Sequence, residues 1–158
     1  MNATTRTRPA SRLLHLVRLE AGAEVLTLRG VVAAGSLMAG DRLVGRSGAI
    51  RLVRMETFVL RDVEMLRIGT GTMAHGQPGA PVLLPPDQPL RLSGERADLV
   101  YRRDPVTVPA GRIADGRLNR IVRVAEIRLV TLGFNAPAAI YAGALQCVTL
   151  PEVTPAHR

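Results

Sequence analysis

Lysine and tryptophan are absent from this 158-residue chain, and cysteine occurs once, as Cys147. A single thiol excludes an intramolecular disulfide and any zinc site built from cysteines. His15, His75 and His157 are too far apart in sequence to share a local metal motif, so neither metal nor cofactor is expected. Aromatic residues make up only 3% of the chain. Its core must therefore come from Val, Leu, Ile, Ala and Met, and Tyr101, Phe134 and Tyr141 are too few and too scattered for a base-stacking platform. No segment approaches the ~20 apolar residues of a membrane-spanning helix. The apolar run Leu13–Val17 is too short for a secretory signal and is followed by Arg18-Leu19-Glu20 instead of a small-residue cleavage site, so a cytoplasmic location is expected.

What is present points to one small β-rich domain. Hydrophobic residues reach 47%, enough for a sizeable core at this length. Fifteen glycines and eleven prolines are spread along the chain, as tight turns between strands require. The net charge is +8, and all 21 basic residues are arginine. A phosphate-binding surface ordinarily mixes lysine point charges with bidentate arginine, so a total absence of lysine reads as compositional bias. Arg102-Arg103 and the series Arg117, Arg120, Arg123 and Arg128 read as a solvated face, with nucleic-acid binding as an alternative.

Residues 1–11 are expected to be an arm, 12–152 the β domain and 153–158 a tail. Alternation of apolar residues with arginine predicts half-buried strands at Glu24–Leu28, Val31–Ala34, Arg42–Arg46, Ile50–Arg54, Thr57–Leu60 and Met65–Ile68. Gly69–Gly79 is a glycine-rich loop. Gly69-Thr70-Gly71-Thr72 has no Gly-Lys-Ser/Thr after it and is not a phosphate loop. Further strands are expected at Pro81–Leu84, Leu90–Leu92, Leu99–Tyr101, Val106–Val108, Arg120–Val124, Ile127–Thr131, Ala138–Ala142 and Leu145–Leu150. Pro109–Ile113 predicts one short helical turn. Asp41, after Gly40, is a turn former, and Asp87 reads the same way. Cys147 reads as a small strand residue, His15 as a structural strand residue and His75 as a loop residue. Many short strands and little helix imply an all-β, strongly curved fold.

The order of these pieces resembles the Hedgehog/intein (Hint) domain in its short bacterial version, from about Leu16 to Glu152. Ala21-Gly22, Val25-Leu26-Thr27, Gly30-Val31-Val32, Ser36-Leu37 and Gly40-Asp41-Arg42-Leu43-Val44 are similar to that family's opening block. Pro81-Val82-Leu83-Leu84-Pro85-Pro86-Asp87-Gln88 is similar to its segment ending Ser-Pro-Asp-His. Val108-Pro109-Ala110-Gly111 and Gly143–Glu152 follow in family order.

The resemblance implies a horseshoe-like β-fold and a self-processing chemistry. A first-position cysteine attacks the carbonyl before it, and a buried histidine protonates the departing amine. This chain departs from that pattern at the positions concerned. The nucleophile position, four residues before Gly22, is Arg18; the acid position is Gln88; and a later histidine is replaced by Phe134. Arginine forms no thioester and glutamine does not titrate. The expected function is therefore a non-catalytic or peptide-binding scaffold, with a peptide segment lying in the family's cleft. The alternatives are self-cleavage with an unusual nucleophile such as Ser11 or Ser36, and a basic nucleic-acid-binding domain.

Overall fold

The computed structural model describes residues 13–71 and 80–153. The expected arm, Ser11, most of the glycine-rich loop with His75, and residues 154–158 of the tail with His157 fall outside the described residues. In chain order the strands are β1 (His15–Glu20), β2 (Glu24–Thr27), β3 (Gly30–Ala33), β4 (Arg42–Gly45), β5 (Gly48–Arg51), β6 (Arg54–Ile68) and β7 (Val82–Leu84). They continue with β8 (Pro89–Leu92), β9 (Val106–Pro109), β10 (Asn119–Phe134), β11 (Ala139–Ala142), β12 (Leu145–Val148) and β13 (Leu150–Pro151). One helix, α1 (Glu95–Tyr101), and two 3₁₀ turns, Ala34–Ser36 and Ala110–Ile113, complete the described residues. The fold is all-β, and the helical turn expected at Pro109–Ile113 is present.

Two antiparallel sheets share the core. The first has the order β13-β1-β10-β6-β7; the second runs β3-β2-β4-β11-β12-β8-β9, with β5 paired to β4. Strand β1 shows why its sequence folds as it does: Val17 and Leu19 are fully buried, while Arg18 between them points to solvent. The main core gathers Val17, Leu19, Leu43, Leu66, Leu132 and Phe134 with residues from both sheets. A smaller cluster of Met65, Ile127 and Leu129 lies along the β6–β10 pair.

Three expectations are corrected here, the first being that Thr57–Leu60 and Met65–Ile68 are not separate strands but parts of β6. Arg120–Val124 and Ile127–Thr131 are not separate strands; they belong to the single 16-residue strand β10, which pairs with the 15-residue β6 from Gly133↔Arg54 to Asn119↔Ile68. Cross-strand ion pairs carry the ladder through its polar middle: Arg61–Glu126 at 3.6 Å and Arg123–Asp62 at 2.9 Å. Asp62 itself takes a left-handed φ of 52°, and its backbone carbonyl accepts a further bond from Arg123. Leu99–Tyr101, expected as a strand, lies instead in α1. Glu95 and Asp98 in its first turn favour the positive end of the helix dipole, and Ala97 is the residue it buries. A three-residue apolar run does not distinguish the two periodicities.

Candidate functional site

Arg18 sits at the middle of β1. On one side β10 runs alongside in unbroken register, from His15↔Phe134 through Arg18↔Thr131 to Glu20↔Leu129. On the other side β13 covers only His15 and Leu16. The backbone N–H of Arg18 therefore needs a different partner, and it donates to Gln88 Oε1 at 2.9 Å. The two positions lie 70 residues apart in sequence.

Gln88 is placed by the turn between β7 and β8. Three prolines around it keep the segment out of helix or central strand, and its own N–H donates to the Pro85 carbonyl at 3.0 Å. The side chain is buried, with 3% exposure. Its Nε2 donates to the carbonyls of Pro89 and Val148, both at 2.9 Å. One neutral side chain thus joins β1, its own turn and the end of β12, with its oxygen and both donor directions in use.

Beside Gln88 opens a cleft of about 390 Å³ lined by Leu16, Arg18, Asp87, Leu150, Pro151 and Glu152 among others. The Arg18 guanidinium stands 3.8 Å from the Asp87 carboxylate, and both are largely solvated, so the pair holds the cleft mouth only weakly. At the other end Glu152 grips the start of β1. Its Oε2 accepts the Leu14 N–H at 3.0 Å, its own N–H donates to the Leu14 carbonyl at 2.8 Å, and its Oε1 pairs with Arg54. The Leu14 N–H and the Arg54 guanidinium hold the Glu152 carboxyl below the usual carboxylate range. Gly133, opposite Leu16, permits this close seating: a Cβ there would stand 2.8 Å from Leu14 Cδ1.

Phe134 is not part of this cleft. It is fully buried in the main core, opposite His15 and three residues along the ladder from the Arg18 pair. Cys147 is close in sequence to the Gln88 contact, in β12 facing Leu90 and Ile140, and is fully buried. Burial pushes its thiol up to about 12, so it carries no thiolate at neutral pH. We expect Cys147 in the native chain to resist maleimide at pH 7 and to react fully once denaturant is added; rapid labelling of the folded chain, followed by intact mass, would contradict this burial.

Residues 17–153 match the family model described as "Hint domain". The chain belongs to the Hint domain family.

Solved structures of similar fold agree with that membership. A bacterial intein-like domain from Clostridium thermocellum matches with a TM-score of 0.57 at 16% identity, covering 84% of this chain and 97% of that one. A variant of the MchDnaB-1 intein matches with a TM-score of 0.53 at 15% identity, over 84% of this chain and 99% of that one. The gp41-1 intein matches at 0.53 and 12% identity, over 82% and 95%. Identities this low carry the fold alone. No curated protein matches the sequence.

On the Hint scaffold the two positions singled out by motif order, Arg18 and Gln88, are in direct contact, while Phe134 stands apart. Asp41 is a turn former as expected: its Oδ2 accepts the Met38 N–H at 2.9 Å and pairs with Arg29 at 3.0 Å. Ser36 is exposed on the Ala34–Ser36 turn, and His15 is half-buried in β1. Among the described residues no group of His, Cys, Asp and Glu could hold a metal ion, and no helix is long and apolar enough to cross a membrane. Arg120, Arg123 and Arg128 are exposed along β10, where Arg123 faces Glu64 in register and bonds Asp62. Glu152 and Arg54 were invisible to sequence reasoning. Nothing local in Leu150-Pro151-Glu152-Val153 marks a residue whose partner lies 138 positions away.

Proposed function

We propose that this Hint domain does not process itself and serves as a scaffold that keeps its own upstream segment bound as a strand. The observation that carries the reading is the bond from the Arg18 N–H to Gln88 Oε1. The Val17–Arg18 amide occupies the place where, by resemblance, the family breaks its chain. Breaking that bond requires a nucleophile at position 18 and a proton delivered to the departing nitrogen. Arg18 offers no thiol or hydroxyl. Gln88 places an acceptor on the amide hydrogen, which favours the resonance-stabilised amide and supplies no proton.

The remaining sulfur does not substitute. Cys147 is fully buried and protonated at neutral pH. Leu16 lines this cleft, and the segment Leu14–Val17 around it is held as a strand by β10, by β13 and by Glu152. A fusion of any protein to the amino terminus is expected to give one uncut species by intact mass from pH 6 to 9, with or without dithiothreitol. A product cut between the fusion and Gly22 would overturn this reading, and its new terminus would identify the nucleophile.

A further inference from the structure

Two surface features away from the Arg18–Gln88 cleft have no role in the reading above. The first is an apolar groove of about 660 Å³ between the β2–β3 hairpin and β7. Leu19 and Leu84 form its floor, and Leu26, Val31, Pro81 and Val82 its walls. Leu26 and Val31 are a cross-strand pair left 37% and 62% exposed. The charged residues among its described lining are Glu20 and Glu24, both acidic, on a chain whose net charge is +8.

The second is the tip of α1. Leu99 and Val100 are adjacent, and they are 78% and 62% exposed. Two neighbouring aliphatic side chains held out on a helix are unlike isolated apolar residues on a surface. After the half-buried Tyr101 come Arg102, which ends the helix with a left-handed φ of 51°, and Arg103; both are exposed. The tip is thus an apolar knob with two cations behind it. The groove is an apolar slot with two carboxylates at its rim.

We propose that these surfaces are partners: the α1 tip of one copy docks in the β2–β3/β7 groove of a second copy. Leu99 and Val100 enter between Val31 and Val82, while Arg102 and Arg103 face Glu20 and Glu24. Because knob and groove are different patches, the contact is head-to-tail, and each pair of copies keeps one free knob and one free groove for further copies. A seven-residue helix buries little area, so the association is weak and reversible, and its charged rim makes it weaken as salt rises. This inference goes beyond the scaffold reading and does not depend on it.

The test is sedimentation velocity of the full chain across a concentration series, at low and at physiological salt. Leu99→Glu blocks the knob and Val31→Glu blocks the groove; both sites are solvated enough for the fold to tolerate the change, which circular dichroism checks. Wild type is expected to form species that grow with concentration. Each variant alone is expected to associate at least about tenfold more weakly. Their equimolar mixture is expected to stop at a dimer, since one variant keeps the knob and the other the groove. A monomeric wild type at every concentration overturns the proposal. So does either variant associating like wild type, or a mixture that gains nothing over the separate variants.

Discussion

Replacing Arg18 by Cys and Gln88 by His together is expected to make this chain cleave itself at Val17–Arg18. The backbone geometry for that reaction is in place: the amide nitrogen at position 18 is already 2.9 Å from the side chain at position 88. The new thiol would give its proton to the imidazole at position 88 and attack the Val17 carbonyl carbon, forming the C–S bond. The C–N bond then breaks, with its electron pair going to nitrogen, which takes a proton from the imidazolium at position 88. Dithiothreitol would exchange with the resulting thioester and release everything up to Val17. The measurement is intact mass of a fusion incubated with and without dithiothreitol.

The contributions of the two changes separate cleanly. A positioned general acid contributes about 10²–10⁴-fold, so Arg18→Cys alone should cleave more slowly than the pair by about that factor. Gln88→His alone should not cleave, because no nucleophile is present. No dithiothreitol-dependent product from the double variant, with the fold intact, would mean that position 18 is not where this scaffold can be made reactive.

Gln88→Ala is expected to lower stability by about 3–5 kcal/mol, measured by urea unfolding. Three backbone groups lose their partner at once: the Arg18 N–H and the carbonyls of Pro89 and Val148. A buried group left without a hydrogen bond costs about 1–3 kcal/mol, and the cleft admits water to part of the site, which keeps the sum below the maximum. Gln88→His should cost less, because an imidazole can still accept from Arg18 and donate once. A loss below about 1 kcal/mol for Gln88→Ala would show that the side chain is not what joins the three segments.

How much of this could be read from sequence differs by feature. The juxtaposition of Arg18 and Gln88 was legible, because motif order carries long-range information that local propensity lacks. The short strands around glycine turns were legible too: Gly30, with a φ of 105°, needs the left-handed region that the β2–β3 turn imposes. The length of β6 and β10 was not. Asp62, Glu64 and Glu126 interrupt the apolar pattern, and only the facing strand supplies the arginines that make those positions acceptable. Leu99-Val100-Tyr101 misled for the opposite reason, since Leu99 and Val100 face solvent and the burial that fixes the helix comes from Ala97. The clamp at Glu152 depends on tertiary closure between residues 14 and 152 and leaves no local trace.

That closure has a mechanical consequence. The chain enters the fold at Leu14 and leaves it at Glu152, side by side on one edge. Tension pulling those two points apart would meet the Glu152 bonds first, then the two pairs His15↔Pro151 and Leu16↔Leu150, each loaded in turn as a zipper is. Tension drawing β1 lengthwise past β10 would instead load six register pairs together, in shear. The same strand is therefore easy to peel from its short neighbour and hard to slide along its long one.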